Sequence, residues 1–166
     1  WQGFSVMAVL VGLFIYSERM VHFFEDILYQ DEIVYAEDTQ YQRIILTRWR
    51  NDIRLFLNGH IQFSSIDEAR YHESLVHPAL VGLGRNAQRI LILGGGDGLA
   101  VREISKWDSI QQIDLVDIDP AITELGLKHP LLTKLNEYAL QSEAVSITHQ
   151  DAMLYLQESE TFYDVV

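Results

Sequence analysis

Three carboxylates stand at or just beyond the ends of three apolar runs. Asp97 follows "RILIL" (89–93), Asp117 lies near the end of "QIDLVDI" (112–118) and Asp151 follows "AVSITHQ" (144–150). The first sits inside a glycine-rich turn, Gly94-Gly95-Gly96-Asp97-Gly98. Glycine-rich turns after a strand usually cradle phosphate. A carboxylate beside phosphate oxygens is a like-charge contact that costs free energy. This turn therefore favours a ligand carrying an amine or a sulfonium. The dinucleotide fingerprint, begun at Gly94 and Gly96, needs a third glycine where Leu99 stands, and no Gly-Lys-Ser/Thr follows for a Walker loop. Asp117 comes 23 residues after Gly94, about the spacing at which an acid accepts from both hydroxyls of a ribose. Asp151 is placed to take the exocyclic amine of an adenine. Together they point to an adenosyl group with a cationic tail. Each acid also has a structural reading. Asp97 could satisfy backbone N–H groups of its own turn, Asp117 could face water, and Asp151 could cap a helix while binding ligand. Asp119, before Pro120, reads as a helix cap rather than a ligand contact.

Acids at successive strand ends need a parallel sheet, because α/β sheets bind ligands beyond the carboxyl ends of their strands. From Arg89 the chain alternates accordingly. Strand "RILIL" precedes helix "AVREISKW" (100–107), strand "QIDLVDI" precedes helix "AITELGLK" (121–128), and strand "AVSITHQ" precedes helix "DAMLYLQE" (151–158) and a last strand, "YDVV" (163–166). The expectation is an α/β, Rossmann-like fold of the S-adenosylmethionine-dependent methyltransferase type, over residues 67–166 and with its sheet incomplete. Ahead of it, residues 32–66 are rich in β-branched and aromatic residues, with Asn58-Gly59 as a hairpin signal. They are expected to form a small antiparallel β subdomain. Asp67 to Leu83 reads as a helix that Pro78 bends or breaks.

The amino-terminal part differs. Gly3–Tyr16 is apolar apart from Ser5. At a rise of about 1.5 Å per residue it covers roughly 20 Å, short of a hydrocarbon core of about 30 Å. Residues 1–17 are expected to be the end of a truncated transmembrane helix, with a buried core helix or a signal peptide as the rival readings. Arg19 fits a cytoplasmic flank. Residues 18–31 follow as an amphipathic linker helix, with Met20, Phe23, Phe24, Ile27 and Leu28 at helical spacing. The whole chain of 166 residues carries a net charge of −12 and no cysteine. That charge argues against nucleic acid as a partner and is compatible with a polyamine. The absence of thiols excludes disulfides and thiolate metal sites, and the spacing of the six histidines suggests no metal centre.

The motifs together resemble those of the polyamine aminopropyltransferases, the spermidine and spermine synthases. "LYQD" (28–31), "LNGHIQFSSIDEARYHESLVHP" (57–78), "ILILGGGDGLAVREI" (90–104) and "LVDIDP" (115–120) occur in the family's order. The hydrophobic lead-in resembles the bacterial branch with transmembrane helices ahead of the synthase domain, which implies an inner-membrane protein with that domain in the cytoplasm. The resemblance implies decarboxylated S-adenosylmethionine as co-substrate, without a cofactor, and putrescine or a related diamine as acceptor. The products would be spermidine and methylthioadenosine, and a homodimer would be the family's usual assembly. By the same resemblance Asp97 binds the aminopropyl amine, Asp117 the ribose hydroxyls and Asp151 the adenine. Gln30 is a donor-site residue, and Gln62, Tyr71 and His72 line the junction of donor and acceptor. Gly94, Gly95, Gly96 and Gly98 let the backbone approach the donor. Asp117 and Ala152 replace the Glu and Gly usual in the family. Glu68 and Glu73 read as surface or structural residues.

The implied chemistry is in-line displacement. An acceptor amine attacks the carbon next to the sulfonium and a neutral thioether leaves. The acceptor must first lose a proton, and the family's base is an aspartate expected in the loop beyond Val166. The 166 residues alone are accordingly expected to be inactive. A methyltransferase using intact S-adenosylmethionine, or a non-catalytic polyamine-binding module, are the competing readings.

Overall fold

The computed structural model describes residues 3, 5–7, 10–12, 14, 29 and 31–166. The linker helix expected over 18–31, and Gln30 with it, lies outside the described residues apart from Tyr29 and Asp31. Much of the apolar run lies outside them as well. Among the described residues no helix is long and apolar enough to cross a membrane.

Strands β1 (Glu32–Asp38), β2 (Arg43–Trp49), β3 (Asp52–Leu57) and β4 (His60–Ser64) form an antiparallel sheet in sequence order. The β3–β4 turn is Asn58-Gly59, with φ of 51° and 79°. Two positive φ values match the right-handed strand twist, which is why Asn-Gly suits this place. Helix α1 (Glu68–Gly82) follows and runs unbroken through Pro78. The break that Pro78 suggested does not form. Val76 and Leu80, on either side of it, are each 6% exposed, and burial of that apolar face outweighs one missing hydrogen bond.

The second sheet is parallel, with β5 (Arg89–Leu93), β6 (Gln112–Asp117) and β7 (Val145–His149) in that order. Helix α2 (Leu99–Ile104) leaves the glycine turn and is shorter than the expected 100–107. Its end tightens into three-residue bonds, Lys106 N–H to Glu103 and Trp107 N–H to Ile104. Helix α3 (Pro120–Lys128) follows β6. Next come α4 (Pro130–Leu135) and a 3₁₀ turn (Ala139–Gln141), neither of which was expected, and α5 (Ala152–Glu158) follows β7. The segment "YDVV" makes a single parallel bridge, Val165 to Ile90, in place of a full strand. That bridge lies on the far side of β5 from β6. The chain thus adds outward from β5 in both directions, and the crevice between β5 and Val165 is where the sheet order reverses.

Two cores hold these layers. One packs Val76, Leu80, Ile90, Val101, Ile104, Ile113 and Leu115 between α1, α2 and the parallel sheet. The other joins Ile44, Leu46, Leu55 and Phe63 of the antiparallel sheet to Leu99, Ile122, Leu125 and Leu132. The second core bridges the two sheets, so the antiparallel sheet is fixed against the helices that carry the glycine turn.

Candidate donor and acceptor site

The turn at 94–98 leaves β5 at the reversal point. Gly94, Gly95 and Gly98 have φ of 85°, 75° and 83°, a region that side chains other than glycine's rarely adopt. Gly96 is needed for space. A Cβ there would lie 2.8 Å from Thr123 Cγ2 and 2.9 Å from Asp117 Oδ2. The turn is thereby pressed onto α3. Gly126, inside α3, completes the fit, since a Cβ on it would stand 2.6 Å from the Gly96 carbonyl.

Asp117 is buried at the end of β6. Its Oδ2 accepts from Gly96 N–H at 2.9 Å and its Oδ1 from Asp119 N–H at 2.9 Å. Each carboxylate oxygen retains lone-pair capacity for a diol. The shorter side chain at this position is thus already engaged in holding the turn. Asp151 stands exposed beyond β7 and caps α5, its Oδ1 accepting from Met153 N–H (2.8 Å) and Leu154 N–H (3.2 Å). Its Oδ2 has no hydrogen-bond partner among the described residues, so capping and ligand binding are compatible. Ala152 opens the helix with negative φ, and its methyl group introduces no backbone strain. Asp119 is the cap that its sequence context indicates, with Oδ1 accepting from Ala121 N–H at 3.1 Å.

Asp97 is half-buried. Its Oδ1 accepts from Leu99 N–H at 2.8 Å, which is the backbone role open to it from sequence. Its Oδ2 has no hydrogen-bond partner among the described residues. Burial pushes the Asp97 carboxyl above the usual carboxylate range, and Asp117 and Glu68 push the same way, while the Leu99 N–H draws it down. A cation placed at Oδ2 would offset that cost of ionisation.

His72 approaches this acid from α1 and is 6% exposed. Its Nδ1 lies 3.0 Å from the Glu68 carbonyl and 2.9 Å from Glu68 Oε2. Tyr71 is exposed, and its ring meets the His72 ring edge-on at 5.0 Å. Gln62 is exposed on β4 and turns its amide to the His60 carbonyl at 3.2 Å. No hydrogen bond among the described residues joins it to His72 or to the turn. The structure therefore brings Asp97, Asp117, His72 and the glycines into one constellation, with Asp151 at the adjoining strand end.

Sequence reasoning missed the residues that brace this constellation. Asn136 is fully buried, and its Nδ2 donates to the Asp97 carbonyl (2.8 Å) and the Gly126 carbonyl (2.9 Å). Nothing in the local pattern marks it, because it lies in the stretch between α3 and β7 that carried no assigned element. Of the two readings open to Glu68, surface or structural, the structure gives the second, since Glu68 is buried; its partner Arg102 is what sequence reasoning did not identify. Glu68 pairs bidentately with Arg102 (2.8 and 3.0 Å), which also reaches Glu103. The signal for that pair was available in the charged Arg102-Glu103 dipeptide on an otherwise apolar helix.

Comparison with known proteins agrees with this arrangement. The spermine/spermidine synthase domain matches residues 68–166. A polyamine aminopropyltransferase of Leptospira interrogans is 52% identical over 165 residues, covering 99% of this chain and 33% of the relative. One from Ralstonia nicotianae is 44% identical, covering 99% and 32%. The spermidine synthase of Thermotoga maritima superposes with a TM-score of 0.73 at 26% identity, over 81% of this chain and 45% of that one. A spermidine synthase in complex with the transition-state analogue AdoDATO superposes equally well, with a TM-score of 0.73. The chain spans about a third of the length of the curated relatives it matches. With its parallel sheet, its acidic glycine turn and these matches, the chain belongs to the spermine/spermidine synthase family.

Proposed function

We propose that the protein transfers an aminopropyl group from decarboxylated S-adenosylmethionine to putrescine or a related diamine, releasing methylthioadenosine and forming spermidine or its analogue. The observation that carries this reading is Asp97. A half-buried carboxyl whose Oδ2 has no hydrogen-bond partner among the described residues, raised by burial, is suited to an ammonium and unsuited to the carboxylate of intact S-adenosylmethionine. Asp117 would take the ribose hydroxyls and Asp151 the adenine amine. The order of the strand ends suits that assignment, and the relatives named for this transfer support it. The chain's own residues act by positioning. They hold the donor's tail and nucleoside so that the carbon beside the sulfonium faces the acceptor, which supplies much of the rate.

The test uses full-length protein with decarboxylated S-adenosylmethionine and a panel of diamines. Mass spectrometry should find methylthioadenosine and an aminopropylated amine in equal amounts. Methyl transfer from intact S-adenosylmethionine would overturn the reading. Donor binding without product would point to a polyamine-binding module instead. We further propose that the apolar run Gly3–Tyr16, with Arg19 beyond it, anchors the protein in the inner membrane with the synthase domain cytoplasmic. Protease accessibility of the domain in spheroplasts and in inverted vesicles checks this. A homodimer, the assembly implied by the family, is checked by light scattering in detergent.

A further inference from the structure

We infer that Glu68 is a positioning residue that fixes His72 as the Nδ1–H tautomer, so that the His72 Nε2 lone pair is presented to an amine of the substrate. This rests on the proposed aminopropyl transfer for the identity of the amine, though not for the tautomer.

The tautomer follows from partner chemistry. His72 Nδ1 lies 3.0 Å from the Glu68 carbonyl oxygen and 2.9 Å from Glu68 Oε2. A backbone carbonyl and a carboxylate are acceptors only, so Nδ1 must carry the proton. The Glu68 carboxylate is paired with Arg102, whose Nη1 and Nη2 donate to Glu68 Oε1 and Oε2 at 2.8 and 3.0 Å. A fork-to-fork pair of this kind is charge-assisted and fixes geometry as well as charge. With Nδ1 protonated, the neutral ring leaves Nε2 as an acceptor. Nε2 makes no hydrogen bond with the described residues.

The same pair sets where that lone pair points. Glu68, His72, Arg102 and Glu103 are 6%, 6%, 7% and 0% exposed. Arg102 also donates to the Leu135 carbonyl at 2.9 Å, and Glu103 takes Lys106 Nζ at 2.7 Å. Arg102 N–H bonds the Gly98 carbonyl at 2.9 Å. Helix α1, which carries His72, is thus clamped to the first turn of α2, which begins at the glycine turn. The clamp joins the two elements that bear unpartnered acceptors, His72 Nε2 on α1 and Asp97 Oδ2 in the turn that opens α2, neither of which has a hydrogen-bond partner among the described residues. An alkylammonium carries three N–H donors, enough for both.

The wild-type protein is read first, by long-range ¹H–¹⁵N correlation on the His72 ring with no substrate present. A protonated Nδ1 beside an unprotonated Nε2 is expected, and either the reverse tautomer or a doubly protonated ring overturns the inference. In E68Q the backbone carbonyl still accepts from Nδ1, but the amide NH2 can now donate to that nitrogen. The tautomer should therefore become mixed and the diamine KM should rise about tenfold with the donor KM little changed, since a charge-assisted bond is lost at one end of the site. An unchanged tautomer with an unchanged diamine KM in E68Q overturns it. R102K keeps a cation beside Glu68 and should retain the Nδ1–H signature, whereas a merely structural cluster would respond alike to R102K and E68Q. If E68Q does not fold, the wild-type and R102K spectra decide. If no aminopropyl product forms while the Nδ1–H signature is present, the pairing stands and the proposed activity fails.

Discussion

The Asp97 carboxyl carries opposite consequences for binding and for stability. Burial raises its pKa in the folded protein above its unfolded value. The folded state then binds the proton more tightly, so the cost of ionising Asp97 is absent in acid and grows as pH rises from the unfolded value to the folded one. Ligand-free D97N should therefore have a higher Tm than wild type at neutral pH. The gain should vanish in acid. The amide oxygen that D97N introduces can still accept from Leu99 N–H, so the cap is preserved. Aminopropyl transfer should nonetheless fall about a hundredfold or more, because the charged acceptor proposed for the amine is lost. Thermal melts at two pH values and steady-state rates check the pair of effects. An equal loss of stability and activity would show that Asp97 serves only its own turn. This dual character was partly legible beforehand. The carboxylate in the glycine turn was visible as a chemical oddity, whereas its burial and its neighbour His72 depend on α1 folding back across the turn.

At the scale of elements, the turn is held by α3 and α4 more than by itself. A Cβ on Gly126 would sit 2.6 Å from the Gly96 carbonyl and 2.8 Å from Leu140 Cδ1. G126A should push α3 off the turn and cost about 1–3 kcal/mol, a typical overpacking penalty. Asn136 ties the Asp97 and Gly126 carbonyls together. N136A would leave both without that donor inside a closed site and should cost about 2–3 kcal/mol. Urea titrations measure both losses. Donor KM should rise in each variant, because Asp117, the carboxylate proposed to take the ribose, leans on Gly96 N–H. The strands and α3 were readable from apolar period, the Asp119-Pro120 cap and the Asn-Gly turn. The 3₁₀ turn, α4 and Asn136 were not. Residues 129–144 hold a short helix set by Pro130, whose three leucines, Leu131, Leu132 and Leu135, are too few to give a period. What makes Asn136 important is two carbonyls from distant segments, which no local pattern encodes.

Over the whole molecule, two carboxylates fasten the sheets at opposite ends. Asp119, 1% exposed, accepts from Thr39 Oγ1 and Gln42 Nε2 at 2.8 Å each while capping α3. The β1–β2 turn is thereby tied to the strand ends that bear the site. Asp164 does the corresponding work at the other end of β5. It accepts from Gln88 N–H (2.7 Å) and Arg89 N–H (2.9 Å) and pairs with Arg85 at 2.6 Å. Those bonds hold the carboxyl down to about 2. The carbonyl of its neighbour Val165 then receives Leu91 N–H at 3.0 Å, the bond that places the outer edge of the sheet against β5. A depressed folded pKa makes the contribution fully present above the unfolded value near 3.8 and lost as pH falls through about 2. Hydrogen exchange at the Leu91 amide reads this contact directly. In wild type the Leu91 amide, corrected for the intrinsic pH dependence of exchange, should be protected at pH 5 and lose protection as the medium is acidified towards pH 2. In D164N it should be weakly protected at both, while the Ile113 amide on β6, bonded to the Ala144 carbonyl, stays protected. Equal loss at Leu91 and Ile113 would mean that acid unfolds the sheet as one unit and that Asp164 is no separate latch. If the loss is confined to Leu91, the edge beside the glycine turn is a semi-independent part of the molecule, and the crevice of the proposed donor and acceptor site is shaped by a bond at the opposite end of the strand.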